Sequence, residues 1–505
     1  MKITASSHSL YTAADVYALD AAAIAAGTPA LQLMKRAGRA AFELLVARYP
    51  APALISIYCG AGNNGGDGYV LAALAAQRLL PVRVIQLAAP EKLTGAARAA
   101  YEFAAQEGVE MVPFAAAQTP EQGVIVDALL GIGLQGAPRA DYAAAITQIN
   151  SADLSVLALD IPSGLNADTG AVATEAVTAS LTITFIGIKR GLLTGRGAAL
   201  CGELVLEQLG VDDAVYANID AQVQRSKVQR LICSELLSLL PIRAADAHKG
   251  DFGHVMIIGG DTGYGGAAIM AAEAAARAGA GLVSIATRPE HLAAILARRP
   301  EVMAVGVISG QELEPFLARP SVIVIGPGLG RSPWSEQMLQ QAIKSGLPLV
   351  LDADALNIIA AGRVVPASIK RDNWLLTPHP AEAARLLGVT TQEVQADRFA
   401  AVAQLQARFN AAVILKGAGS LVAGSDGAIS MVTDGNPGMA TGGMGDVLSG
   451  ILGALLAQGL SLTEAAQCGA VLHACAADLA AQEFGQRSLL ATDLIPYLCE
   501  LLSDD

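Results

Sequence analysis

Short apolar runs alternate along this chain with longer alanine-rich stretches. Residues 54–59 form one such run and lead into a glycine-rich loop, after which the pattern predicts a helix through residues 71–76. Further strand-like runs follow at 82–87, 123–128 and 154–160, and again at 255–260, 322–324, 349–351, 375–376 and 412–415. These runs are apolar almost throughout instead of alternating. That is the pattern of parallel strands covered by helices on both faces, and it predicts an α/β fold. In such sheets ligands bind beyond the carboxyl ends of the strands, and Asp127 and Asp160 sit at or near such ends.

The pattern changes between residues 205 and 230. Gly210-Val211-Asp212-Asp213 closes one unit, and residues 221–227 form a polar connector. A fresh unit opens at His248-Lys249-Gly250-Asp251-Phe252-Gly253-His254. We place the boundary near residue 225, giving domains 1–225 and 226–505. A chain of 505 residues suits about two to four domains.

Composition narrows the classes. With 53% hydrophobic and 16% charged residues the chain is not a disordered protein. A net charge of −13 disfavours nucleic acid as a partner, although helix ends and backbone amides still bind small anions locally. The six cysteines are far apart and lack metal-ligand spacing, so they read as buried free thiols in a reducing compartment. There is no apolar signal core at the N-terminus and no apolar stretch of spanning length. The expectation is a cytoplasmic protein without a membrane partner.

Candidate chemistry is densest in Asn436-Pro437-Gly438-Met439-Ala440-Thr441-Gly442-Gly443-Met444-Gly445-Asp446, which runs into an apolar helix. Glycines let successive N–H groups turn towards one point, and a helix start adds the positive end of its dipole. An aspartate in the first turn would face whatever anion sits there. Donors that stabilise charge beside a carboxylate that takes a proton suit phosphoryl transfer to a hydroxyl. A lone motif of this kind would read as an ordinary helix start with an acidic first turn. Four other features accompany it at strand ends: Gly259–Ala267, Gly326-Pro327-Gly328-Leu329-Gly330, Asp352-Ala353-Asp354 with Asn357, and Thr377-Pro378-His379-Pro380-Ala381-Glu382. A fifth, Lys416-Gly417-Ala418-Gly419-Ser420, lies just before the glycine cradle.

This ordered set resembles the carbohydrate-kinase-like domain of the NAD(P)H-hydrate dehydratases, which have a ribokinase-like fold, over roughly residues 228–500. The resemblance implies that the C6 hydroxyl of a hydrated nicotinamide is phosphorylated and that loss of phosphate restores NAD(P)H. It makes Asp446 the base, and Gly443, Met444 and Gly445 the anion hole. Lys416, Gly417, Ala418, Gly419 and Ser420 become the nucleotide segment, and Ala267, Gly330 and His379 the contacts to the hydrated dinucleotide. It further implies ADP as co-substrate and Mg²⁺ to offset phosphate charge.

In the first half, Gly60-Ala61-Gly62-Asn63-Asn64-Gly65-Gly66-Asp67-Gly68 departs from the usual dinucleotide fingerprint because asparagines and an aspartate interrupt it. Asn63 and Asn64 read as turn formers, or as oxygen ligands suited to a hard cation together with Asp127 and Asp160. With residues 127–136 and 160–170 the set resembles the NAD(P)H-hydrate epimerase domain, Rossmann-like, over roughly residues 5–212. That resemblance implies interconversion of the C6 epimers. It assigns K⁺ to Asn64, Asp127 and Ser163. Substrate contacts fall to Asn63, Asn64, Gly65, Gly66 and Asp67, to Gly131, Ile132, Gly133, Leu134, Gln135, Gly136 and Ala137, and to Asp160, which is also the proton-transfer carboxylate. Many relatives carry an acid after Met34, where this chain has Lys35; the change is expected to touch helix surface more than chemistry.

The fused pair therefore resembles a bifunctional NAD(P)H-hydrate repair family, whose members often form homo-oligomers. Two alternatives stay open at this point: a kinase of a small hydroxylated metabolite with a regulatory first domain, or a first domain that is catalytically silent.

Overall fold

A computed structural model describes residues 9–222, 228–366 and 369–503. The chain divides into two compact units, Met1–Val228 and Gln229–Asp505. The expected boundary at 225 and most of the polar connector lie outside the described residues.

In the first unit the helices α1 (Ala13–Ala25) and α2 (Ala30–Arg48) precede a parallel sheet. Its strands are β1 (Ile55–Cys59), β2 (Val82–Gln86), β3 (Glu110–Pro113), β4 (Val124–Ala128), β5 (Ser155–Leu159), β6 (Leu181–Phe185) and β7 (Glu203–Glu207). They are arranged β3-β2-β1-β4-β5-β6-β7. Strands β1, β4 and β6 are buried along their whole length because both sheet faces are covered, which is why their sequences do not alternate. One face packs around Leu19, Leu45, Leu71 and Ala104, the other around Tyr58, Tyr142, Ile146 and Ile149. The strand order reverses between β1 and β4, and the crevice at that switch point is where an open α/β sheet binds ligands.

One expectation needs correction. The GNNGGDG segment is not a loop preceding a helix. Helix α3 (Asn63–Gln77) begins inside it, so Asn63 to Gly68 form its first turns and the asparagines are not turn formers. The reason is steric. A side chain at Gly65 would come within 2.1 Å of the Gly60 carbonyl, and one at Gly68 within 2.9 Å of Cys59 Sγ. Glycine lets this helix start lie directly on the strand ends.

In the second unit the strands are β8 (His254–Ile258), β9 (Leu282–Thr287), β10 (Met303–Gly306), β11 (Val322–Ile325), β12 (Leu349–Leu351), β13 (Trp374–Leu376), β14 (Ala412–Leu415), β15 (Ser420–Ala423) and β16 (Ile429–Val432). They lie in the order β16-β15-β14-β13-β12-β11-β8-β9-β10. Pairing is parallel from β10 to β14 and antiparallel from β14 to β16. Beyond β14 the expected parallel pairing thus gives way to a meander, past which Gln229 and Arg230 pair parallel with β16. Residues 416–419 are too few to cross over to a parallel neighbour, which takes about a dozen.

Helices α4 (Gly265–Arg277) and α5 (Met444–Ala457) cross closely on one face of this sheet. A Cβ at Gly450 would sit 2.0 Å from the Ala271 carbonyl, so glycine at that position permits the contact. The core there is mostly Ala, Val, Ile and Leu. Among the described residues no single helix is long and apolar enough to cross a membrane.

Candidate functional site

The first unit has a cleft of about 690 Å³ at the carboxyl ends of its strands. Of the residues expected there, Asn63, Asn64, Asp67, Gly131 to Gln135 and Asp160 line it. Gly66 faces α2 instead, where an added Cβ would meet Met34 Cε at 2.5 Å, and Gly136 and Ala137 are exposed outside the lining. Lys35 is exposed on α2, 5.8 Å from the centre of the Phe103 ring.

Asp127 and Ser163 lie buried beneath the cleft. The Ser163 hydroxyl donates to Asp127 Oδ1 at 2.6 Å and its amide to Oδ2 at 2.8 Å. Burial pushes Asp127 up to about 6, and the Ser163 bonds oppose it. Asn64 Nδ2 donates to the Leu130 carbonyl at 3.0 Å, while Asn64 Oδ1 is buried with no hydrogen-bond partner among the described residues. An orphaned amide oxygen beside a hydroxyl and a carboxylate is a donor set that fits a hard cation such as K⁺.

Asp160 follows β5 with φ of +66°, a conformation that costs a non-glycine residue energy and that the surrounding bonds enforce. Its amide donates to the Ile183 carbonyl at 2.7 Å, and its Oδ1 accepts from the Phe185 amide at 3.2 Å. Its second partner is Lys189, which sequence reasoning missed. The Lys189 side chain is fully buried and forms an ion pair with Asp160. It also donates to Thr184 Oγ1 at 3.1 Å and the Phe185 carbonyl at 2.9 Å. The available signal was the basic pair Lys189-Arg190 closing the apolar run 185–188 beyond a strand's carboxyl end.

In the second unit, Gly443 caps α5 with φ of +94°, and any side chain there would strike Met270 Cε at 2.8 Å. Asp446 lies in the first turn, half-buried. Burial and then the nearby Asp352 charge raise its carboxyl to about 7, with Lys416 opposing. A Cβ on Gly445 would lie 3.2 Å from Lys416 Nζ and 3.4 Å from Asp352 Oδ2, so this ion pair abuts the cradle. Burial pulls the Lys416 ammonium down, but Asp352 and then Glu382 outweigh it and its pKa rises. The segment 416–420 closes on itself: Ser420 Oγ donates to the Gly417 carbonyl at 2.9 Å and accepts from the Gly417 amide at 3.2 Å.

His379 caps α6 (Pro380–Leu387). Its Nδ1 accepts from the Ala381 amide at 3.1 Å. That occupation leaves Nε2 to carry the proton, 3.3 Å from Glu382 Oε1. Burial, then Lys416, hold the imidazole below its usual range. Burial lifts Glu382 to about 7. Ala267 and Gly330 meet through the 326–330 loop. A Cβ on Gly328 would touch Ala267 Cβ at 3.0 Å, and the Gly330 amide donates to Asp354 Oδ2 at 3.1 Å. Asp261, 2.7 Å from Arg288 Nε and 2.8 Å from Ser332 Oγ, braces the same corner. His473, buried nearby on α7 (Leu462–Phe484), is held neutral by burial and then by Lys416, at about 4.

This geometry offers an anion cradle, a carboxylate poised near neutrality and a lysine at the same helix end. Among the described residues no three His, Cys, Asp or Glu side chains form a metal cage. The two carboxylates at the cradle, Asp352 and Asp446, fit Mg²⁺ that would arrive with nucleotide phosphates and keep most of its waters.

Comparison with known proteins gives concordant matches. Residues 255–500 match the family described as NAD(P)H-hydrate dehydratase, and residues 30–191 the family described as YjeF-related protein N-terminus. A bifunctional NAD(P)H-hydrate repair enzyme of Coxiella burnetii is 47% identical over 494 residues, covering 98% of this chain and 99% of that one. The enzyme of the same name from Escherichia coli is 42% identical over 479 residues, covering 95% and 91%. A solved ribokinase-like superfamily protein of Enterococcus faecalis is 31% identical, with a TM-score of 0.49, covering 54% of this chain and 95% of that one.

Proposed function

The chain belongs to the bifunctional NAD(P)H-hydrate repair enzymes, and from that premise we propose which of its residues perform each half of the repair. The first unit epimerises hydrated NAD(P)H at C6 and the second dehydrates the S form. The kinase alternative is not favoured, because relatives matched over nearly the whole chain are repair enzymes.

In the second unit the nucleotide's terminal phosphate rests on the amides of Gly443 to Gly445 at the start of α5, where the helix dipole favours negative charge. Asp446 takes the proton of the C6 hydroxyl as that oxygen attacks phosphorus. Lys416, oriented by Asp352, meets the phosphate charge, and the loop 416–420 holds the nucleotide, for which we propose ADP. Loss of phosphate from C6 then restores the reduced ring. Mg²⁺, when bound, would offset charge on the phosphates, with Asp352 and Asp446 the carboxylates at the cradle. Ala267, Gly330 and His379 border the dinucleotide. The observation that carries this reading is the Asp446 carboxyl, raised to about 7 beside the glycine cradle, as a base working near neutral pH requires.

In the first unit, Asp160 is the proton-transfer carboxylate and Lys189, paired with it, orients it. Asn64, Asp127 and Ser163 would hold K⁺, which the orphaned Asn64 oxygen supports. The six free thiols support a reducing, cytoplasmic setting, and we expect a homo-oligomer.

The test is incubation of the full chain with a mixture of both epimers, with and without ADP. Recovery of reduced-nicotinamide absorbance from both epimers is expected. Recovery from the S epimer alone would make the first unit silent.

A further inference from the structure

The cleft of the first unit is lined by three carboxylates, Asp20, Asp67 and Asp160, and by the ammonium of Lys189. Their surroundings are unequal. Asp160 accepts from Lys189 and from the Phe185 amide. Asp67, on α3, is only 8% exposed, and its carboxyl has no hydrogen-bond partner among the described residues. A carboxylate ion without donors in so dry a place is costly, and a second carboxylate in the same cleft adds to the cost. The two carboxyls differ in kind: Asp160 is held by an ammonium and an amide, whereas Asp67 is open only to the cleft. Burial first, then Asp160 and Asp20, drive Asp67 far above the usual carboxylate range, with Lys189 opposing.

We propose that Asp67 is the proton donor of the epimerisation and Asp160 its proton acceptor. This rests on the reading of the cleft given above and adds a second reacting group to it. The substrate's C6 carries a hydroxyl and the ring nitrogen N1. Asp160 takes the hydroxyl proton as the C6–N1 bond breaks, C6 becomes an aldehyde, and the released electron pair on N1 takes the proton of Asp67. Rotation about C5–C6 presents the other aldehyde face. N1 then re-attacks C6, its proton returns to Asp67, and the new hydroxyl takes its proton back from Asp160. Each group ends as it began, with no transfer between them. A neutral acid and an ionised base in one cleft are what that cycle needs.

The groups acting on Asp67 are Asp20 from α1, Asp160 and Lys189 from beyond β5 and β6, and Cys59 from β1; Tyr17 and Arg139 line the same cleft. Lys189 does not replace it as a donor, because it is committed to Asp160.

The test compares the full chain with Asp67→Asn, Asp67→Glu and Asp160→Asn, following R-to-S conversion against pH. Asp67→Asn is expected to lower kcat about 100- to 10,000-fold with little change in KM. It should also abolish the alkaline fall that Asp67 ionisation gives the wild type. Asp67→Glu should recover part of the rate with that fall moved along the pH axis; it carries the test should the asparagine variant fold poorly. In water labelled with heavy oxygen the product should keep its original oxygen, and one label gained per turnover would overturn the ring-opening step. A kcat within about threefold of wild type in Asp67→Asn, or an unshifted alkaline fall in Asp67→Glu, overturns the donor role. A wild-type rate in Asp160→Asn would instead sink the reading of the whole cleft.

Discussion

Lys416 Nζ donates to Asp352 Oδ1 at 2.7 Å, and Thr377 Oγ1 donates to the same oxygen at 2.6 Å. The lysine proposed to meet the nucleotide is therefore aimed by a buried acid at the end of β12, two strands away across β13. That acid also raises the pKa of Asp446.

Asp352→Asn tests this double role. A base with a carboxyl near 7 loses activity as pH falls through that value, because the protonated form cannot accept. Removing the Asp352 charge lowers the Asp446 pKa, and freeing Lys416 lowers it further. The acid limb of nucleotide-dependent repair should therefore move to lower pH, while the plateau drops about 10- to 100-fold for want of an oriented lysine. A pH–rate profile over the acid side measures both effects. An unmoved limb would separate Asp352 from the base.

Asp446→Asn should abolish nucleotide-dependent repair, a loss of about 100- to 10,000-fold, and leave epimerisation intact. The same substitution should stabilise the second unit at alkaline pH. Burial raises the folded carboxyl to about 7 from the 3.8 of an unburied aspartate, so the folded state binds its proton more tightly than the unfolded chain. The stability this provides is present in full below about 3.8 and is lost as pH rises through about 7. Thermal melts should show the variant's advantage at pH 8 and none near pH 3.8.

How far these sites were legible in the sequence depends on what each residue's role rests on. The glycine cradle and Asp446 were legible because backbone conformation and helix position follow from local spacing. The GNNGGDG segment misled because glycine reads as loop, whereas here it serves close packing of a helix start on strands β1 and β4, which only the tertiary fold reveals. Lys189–Asp160 and Lys416–Asp352 were illegible as pairs: each joins residues that follow different strands, and neither lysine has its acid among its sequence neighbours. The turn to antiparallel pairing at β14 has a reason visible in the sequence, the brevity of residues 416–419.

Asn64→Ala tests the cation site. The wild-type first unit should melt at higher temperature in potassium chloride than in tetramethylammonium chloride at equal ionic strength, because a ligand that binds only the folded state stabilises it. The variant lacks the orphaned oxygen and should lose that difference, with a parallel loss of potassium dependence in epimerisation. A wild type indifferent to the cation would remove K⁺ from the site.

Arg398, on α8 (Arg398–Phe409) and only 1% exposed, holds the nucleotide segment from behind. Its guanidinium donates to the carbonyls of Leu415 at 3.2 Å, Lys416 at 3.3 Å and Gly419 at 3.4 Å, and to Gln395 Oε1 at 3.1 Å. Burial lowers its pKa to about 10, so it stays charged at physiological pH. A planar fork of donors can bridge several carbonyls at once, which a lysine ammonium cannot. Arg398→Met keeps the apolar stem but strands these acceptors, at a cost of about 2–3 kcal/mol to the second unit. The loop 416–420 then loses its fixed shape before nucleotide arrives, and ordering it must be supplied by binding. The KM for nucleotide should rise about tenfold with kcat changed far less, and epimerisation should be untouched. Steady-state kinetics with nucleotide varied at saturating S epimer separates the two constants. A fall in kcat with KM unchanged would mean that Arg398 serves the chemical step and not the loop.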